Sequence, residues 1–156
     1  MQDCVDDLRS TLSIESARLL AISENDAGRR PAPGKWSPKE IIGHLIDSAA
    51  NNHIRFVRAQ LTDDMVFPGY DQEAWVRLQR YNDRPWPELV SLWHVYNAHI
   101  ASVIESITPE CLSLPRSKHN LDEVGWRTVP RDQPATLAYF IRDYVGHMKH
   151  HLAQIS

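Results

Sequence analysis

The sequence predicts an all-α fold, an antiparallel four-helix bundle with a short extra helix and a long loop before the last helix. Three observations carry this. Four long stretches repeat apolar residues at i, i+3, i+4 and i+7, the period of a helix with one buried face. No stretch alternates apolar and polar residues in the way a half-buried strand does. The segments between the periodic stretches are broken by Pro and Gly, as the connections of a bundle are.

The first helix is expected over Asp3 to Ser23, where Val5, Leu8, Leu12, Ala17, Leu19, Leu20 and Ile22 lie among acids and arginines. It runs out in Asn25-Asp26-Ala27-Gly28, and Pro31, Pro33 and Gly34 make the following connection irregular. The second helix starts at Ser37, because Ser37-Pro38-Lys39-Glu40 combines a Ser N-cap, Pro at the first helical position and Glu three residues on. Its apolar face is Ile41, Ile42, Leu45, Ile46, Ala49, Phe56 and Val57, with His53 among them as a core histidine that has a hydrogen-bond partner.

Thr62 to Tyr70 reads as a loop broken by Pro68-Gly69, and Asp71-Gln72-Glu73 then caps a short helical turn carrying Ala74, Trp75 and Leu78. Asn82, Asp83, Pro85 and Pro87 mark the start of the third long helix, with the stripe Leu89, Leu92, Trp93, Tyr96, Ile100, Val103, Ile104 and Ile107. His99 lies at the edge of that stripe, a candidate for supporting a site, and His94 reads as surface. From Thr108 to Gln133 no period is sustained; a loop this long is usually functional or mobile, and its His119, Asp122, Glu123 and Trp126 are candidates to cover a site near the last helix. That helix begins near Thr136 and carries Leu137, Ile141, Tyr144, Val145, Met148, Leu152 and Ile155 on its apolar face.

A chain of 156 residues suits one domain, residues 1–156, able to bury roughly 70% of its unfolded surface without disulfides. Cys4 and Cys111 have neither CxxC spacing nor a disulfide framework around them, which fits a reducing compartment. The net charge of −3 and the scattered lysines and arginines leave no electrostatic footprint for nucleic acid. The opening M-Q-D-C-V-D-D is acidic where a signal peptide is basic, and no apolar run has membrane-spanning length, so the expected location is cytoplasmic, with no membrane partner.

Two features carry chemistry. His147 and His151 stand four apart on one face of the last helix, the spacing that lets two imidazoles reach one metal ion, whereas His150 points to solvent. Such a pair also arises as a surface coincidence, and two ligands are too few. On the second helix His44, Ser48, Asn51 and Arg55 form one polar column, with Asn52 beside it. An ordinary solvated face is rich in Lys and Glu; an imidazole, a hydroxyl, an amide and a guanidinium are the kit of a polar pocket wall, although an exposed face that lacks Lys and Glu reads the same way. His44 meets the His147/His151 pair only if those two helices are antiparallel neighbours.

W-S-P-K-E-I-I-G-H-L-I-D-S from Trp36, N-x-x-I-R-F from Asn51 to Phe56, and G-H-M-K-H-H-L-A-Q-I from Gly146 together resemble the DinB/YfiT-like superfamily of metalloenzymes. With the turn Tyr70-Asp71-Gln72-Glu73-Ala74-Trp75, they look closest to the YfiT branch, which includes bacillithiol S-transferases. The resemblance spans Trp36 to Ile155. It implies a four-helix bundle, often homodimeric, with a divalent metal held by His44, His147 and His151, nickel or zinc or a related ion such as manganese. The chain departs from the branch before the last helix, where Ser117-Lys118-His119-Asn120 and Leu121 to Arg131 replace a short His-Pro-Glu-like element in a segment expected to shape the pocket.

Three neutral imidazoles leave open positions on a divalent ion, the arrangement of a catalytic site. The expected function is metal-dependent transfer of a low-molecular-weight thiol of the bacillithiol type to a small electrophilic substrate. Arg55, Asn51, Ser48 and Tyr144 are the expected substrate and cofactor wall, with Arg55 and Asn51 on the anionic part of the thiol; Tyr144 and Gln154 are also candidates to orient the metal-binding histidines. The alternatives are a metal-dependent hydrolase of the same fold, which lacks the Glu of HExxH after His147, and a non-catalytic metal- or ligand-binding stress protein.

Overall fold

The computed structural model describes residues 1–155. Four long helices, α1 (Gln2–Leu20), α3 (Pro38–Arg58), α5 (Trp86–Glu105) and α8 (Leu137–Leu152), form the bundle, joined by the short helices α2 (Glu24–Gly28), α4 (Gln72–Gln79), α6 (Pro109–Ser113) and α7 (Leu121–Val124) and a 3-10 turn at Tyr81–Asp83. Among the described residues there is no strand, only the isolated bridges Met65–His119 and Arg116–Ala135.

The N-caps explain where the helices start. Ser37 forms the expected capping box: its Oγ accepts from the Glu40 N–H at 3.2 Å, and Glu40 Oε2 accepts from the Ser37 N–H at 2.8 Å. Thr136 Oγ1 accepts from the Tyr139 N–H at 3.1 Å and opens α8. One cap was not anticipated. Ser23 accepts from the Asp26 N–H at 3.1 Å, so the chain stops α1 at Leu20 and winds a further turn, α2, through residues expected to be irregular.

Around the bundle α1 packs on α5, α5 on α3, α3 on α8, and α8 back on α1. Paired side chains give the directions. Arg18 and Leu152, at the C-terminal ends of α1 and α8, hydrogen-bond at 3.0 Å, and Asp3 and Arg142 pair near their starts, so these helices are parallel. Trp86 at the start of α5 donates to the Leu19 carbonyl at the end of α1, which makes that pair antiparallel. Phe56, late in α3, stacks edge-on against Phe140, early in α8, at 5.7 Å, so α3 and α8 are antiparallel too. The chain therefore runs up, down, down, up, with sequential α3 and α5 parallel because the connection from Ala59 to Pro85 crosses the bundle's length. Trp86, Trp93, Phe56 and Phe140 fill the core, each buried to within 1%.

The 108–133 segment is tied down rather than free. Arg116 and Ala135 exchange backbone hydrogen bonds at 2.8 and 3.1 Å, and Met65 accepts from Asn120 N–H and donates to the Lys118 carbonyl. His119 is buried here as a staple: its Nδ1 accepts from the Leu121 N–H at 3.2 Å, which leaves Nε2–H to donate to the Gln133 carbonyl at 2.7 Å. Three further histidines are placed by packing. His53 is half-buried, with Nδ1 3.3 Å from the Tyr96 hydroxyl, and Val57 of the expected apolar face is 39% exposed. His99 packs against His53 at 5.0 Å rather than near the last helix, and His94 is half-buried against Ser16. No described helix is long and apolar enough to cross a membrane.

Candidate metal centre and its cavity

The antiparallel packing of α3 on α8 brings the start of one helix to the end of the other, which places His44 against His147 and His151. One ring nitrogen from each of the three lies within 4.8 Å of the others. The Nε2 atoms of His44 and His147 face each other at 3.2 Å, and His151 stands between ring centroids 4.6 Å from His44 and 4.5 Å from His147. His44 is fully buried and the other two half-buried.

Burial penalises the charged imidazolium, and mutual repulsion adds to it. His44 and His147 are each held down to about 3 and His151 to about 4, so all three are neutral at physiological pH. The Nδ1 atoms of His44 and His151 are buried without a hydrogen-bond partner among the described residues. Three neutral, convergent imidazoles, two of them with a buried Nδ1 that has no partner, are a donor set for a divalent ion of the zinc or nickel kind, and the residues present fit such an ion.

Aromatic rings wall the centre. Trp36, just before the Ser37 cap, lies 5.1 Å from the His44 ring and stacks at 30° on His151. Trp126 approaches His147 at 6.2 Å and lies against the exposed His150. Its place is prepared from α8: Asp143 accepts from the backbone N–H groups of Trp126 at 2.8 Å and Arg127 at 2.9 Å, and Gly146 leaves room, since a Cβ there would come to 3.0 Å from the Trp126 ring. The Asp143 carboxyl is pushed up by burial, a shift those two hydrogen bonds oppose.

A cavity of about 320 Å³ opens beside His147 and His151 and runs along α3 past Ser48, Asn52 and Arg55, closed by Tyr70, Trp126 and Tyr144. Of the residues expected at the wall, Ser48, Arg55 and Tyr144 line it. Asn51 does not; its Nδ2 donates to the Asp47 carbonyl at 2.9 Å, and its neighbour Asn52 occupies the wall. The Tyr144 hydroxyl donates to Asn97 Oδ1 and not to a histidine, and Gln154 is exposed. From the 108–133 segment Glu123 and Trp126 reach the cavity, whereas Asp122 pairs with Arg131.

Sequence reasoning missed Trp36, Tyr70 and Asp143 as parts of the site, and set Asn52 beside the polar column rather than in it. Asp143 had a readable signal, because it precedes His147 by one turn on the same helical face. Asn52 differs from Asn51 by one 100° step, which a single-sequence wheel does not settle once the helix packs at an angle.

The chain is similar to several known proteins. A protein of Oceanobacillus iheyensis provisionally named a metal-dependent hydrolase is 31% identical over 123 residues, 79% of this chain; the chain spans 64% of that relative's length. A similarly named Bacillus mycoides protein is 27% identical over 139 residues, 87% of this chain and 73% of its own. Among solved structures, YfiT from Bacillus subtilis, described as a probable metal-dependent hydrolase with an unusual four-helix bundle topology, superposes with a TM-score of 0.80 at 18% identity, over 99% of this chain and 82% of its own. The mycothiol-dependent maleylpyruvate isomerase superposes with a TM-score of 0.72 at 11% identity, over 99% of this chain and 60% of the isomerase. The DinB superfamily profile matches residues 9–155, and the chain belongs to that superfamily, with the YfiT-like bundle as its fold.

Proposed function

We propose that this chain is a divalent-metal enzyme, with His44, His147 and His151 as ligands, that transfers a low-molecular-weight thiol to an electrophilic small molecule. The observation that supports it most is the convergence of one ring nitrogen from each of three neutral imidazoles within 4.8 Å at a cavity whose acids are already engaged. Bound there, nickel, zinc or manganese supplies the positive charge that favours the deprotonated, nucleophilic form of a thiol at neutral pH.

The chain's own residues do the rest. Trp36 and Trp126 exclude water from the reacting end. Arg55 and Ser48, with Asn51 behind them and Tyr144 at the floor, hold and orient the thiol or substrate. In the transfer, sulfur forms a bond to the electrophilic carbon, the bond to the leaving group breaks with its electron pair going to that group, and the thiol proton passes to solvent.

Hydrolysis is the second reading, favoured by the names of the relatives in Oceanobacillus and Bacillus. It requires a base to take a proton from water. Among the described residues the acids lining the cavity are Asp143, which accepts two backbone N–H groups, and Glu123, which pairs with Arg131. A homodimer is part of the proposal, supported by the exposed apolar Ile54 and Val57 on α3 and Leu61 in the turn after it; a monomeric mass by light scattering would remove it.

The test is a screen of the zinc-, nickel- and manganese-loaded protein with bacillithiol, mycothiol and glutathione against a halogenated electrophile, beside an ester and amide panel. Metal-dependent thioether formation, lost in His147→Ala, is expected. Ester or amide cleavage without thioether formation would replace transfer by hydrolysis.

A further inference from the structure

Away from the histidines, the cavity wall includes hydrogen-bond donors that are not fully used, on Arg55, Ser48 and Tyr70. Arg55 is only 5% exposed, yet no carboxylate among the described residues pairs with it; Nη2 donates to the Pro68 carbonyl at 2.9 Å and Nη1 reaches Asn52 Oδ1 at 3.5 Å. A guanidinium has five N–H groups, of which these two bonds use two; Nε, which has no partner, is not among the buried unpartnered atoms, and Arg55 lines the cavity. Ser48 Oγ accepts from Asn52 Nδ2 at 3.3 Å, which leaves its O–H to donate. The Tyr70 hydroxyl also lines the cavity without an acceptor, and burial, which pushes it up to about 12, keeps its proton in place.

A buried guanidinium without a counter-ion is costly, and the acids lining the cavity do not supply one. Asp143 is held by the backbone of Trp126 and Arg127, and Glu123 by Arg131. The wall therefore carries one uncompensated positive charge flanked by two hydroxyl donors, the complement of a planar anion.

We propose that Arg55, Ser48 and Tyr70 form a carboxylate-binding site, with Asn52 as the positioning residue that steers Arg55, and that the enzyme's small-molecule ligand is an elongated carboxylate. The proposal rests on the three-histidine centre above, which takes the ligand's other, reactive end. His44 and Arg55 are separated by about three turns of α3, on the order of 16 Å of helix, and one continuous cavity of about 320 Å³ contains both Arg55 and the His147/His151 pair. A short carboxylate cannot serve both ends; a ligand with a spacer of several bonds can.

The test uses the full chain reloaded with cobalt(II), titrated with ω-mercaptocarboxylic acids of increasing spacer length, the matching mercaptoamides and mercaptophosphonates, and read by the sulfur-to-cobalt absorption band. The expected result is that long-spacer acids bind about tenfold tighter than the equivalent amides. That advantage disappears in Arg55→Gln, shrinks in Tyr70→Phe, and persists in Arg58→Gln, an exposed control on the same helix. Circular dichroism confirms the fold of each variant. Equal binding of acids and amides at every spacer length, an advantage that survives Arg55→Gln, or a preference for the phosphonate would overturn the carboxylate site while leaving the metal centre standing. If no thiol of any kind perturbs the cobalt spectrum, the thiol-transfer reading fails and takes this site with it.

Discussion

His44 on α3 and His147 on α8 face each other through their Nε2 atoms at 3.2 Å, although 103 positions separate them in the chain. Burial keeps both neutral, so the contact gains nothing from charge, and an ion placed among the three rings binds the folded chain alone. Ligand linkage then predicts a rise in melting temperature. Zinc or nickel at a hundred times its Kd contributes about 2.7 kcal/mol, which for a chain of this size is on the order of 5–10 °C. Thermal scans of chelated protein with and without metal check this; an equal rise in His147→Ala would mean that the ion binds elsewhere.

The turn after α4 is docked through a glycine. A Cβ on Gly43 would land within the Tyr81 ring, whose hydroxyl donates to Asp47 Oδ1 at 2.6 Å. Helix propensity alone favours Gly43→Ala by about 1 kcal/mol, whereas the clash costs about 1–3 kcal/mol and should win because Tyr81 is buried. Urea denaturation is expected to show net destabilisation; a variant more stable than wild type would mean that Tyr81 moves aside freely.

Asp47 gives a pH signature. Burial raises its pKa, against hydrogen bonds from Tyr81 and Gln79 to Oδ1, while Oδ2 is buried without a partner. The folded state thus holds the proton more tightly than the unfolded one, whose value is about 3.9. The contribution of Asp47 to stability is full below that value and is lost as pH rises through the folded value. Asp47→Asn keeps Oδ1 as an acceptor and does not titrate. The melting temperature of the variant minus that of wild type should therefore grow from about pH 4 upward, and a difference that shrinks over that range would contradict the assignment.

Asp143 holds the aromatic wall. In Asp143→Asn only one of the two side-chain positions still accepts, so one backbone N–H of Trp126 or Arg127 loses its partner, at about 1–2 kcal/mol. Faster hydrogen exchange at residues 126 and 127 with unchanged metal content is the expected outcome. Loss of the metal would make Asp143 part of the centre itself.

The sequence was most legible where chemistry is local. Ser37, Pro38 and Glu40 specify a helix start by direct hydrogen bonds, and the start was found at that residue. The His147/His151 pair needs only helix geometry. Adding His44 needs the direction in which α3 crosses α8, a non-local fact that came from family resemblance. Asn51 and Asn52 exchange places at the cavity because the wall is defined by packing rather than by the helix wheel. The 108–133 segment was least legible: its order comes from single bonds such as His119 to Gln133 and Arg116 to Ala135, which leave no periodic trace.

The central claim is that one divalent ion is held by three histidines from two helices. Elemental analysis after chelation and reloading with nickel, zinc and manganese, on wild type and on His44→Ala, His147→Ala and His151→Ala, tests it most directly. The account predicts near-stoichiometric metal in wild type and its loss in all three variants. Substoichiometric metal in wild type, or retention in any one variant, would contradict it.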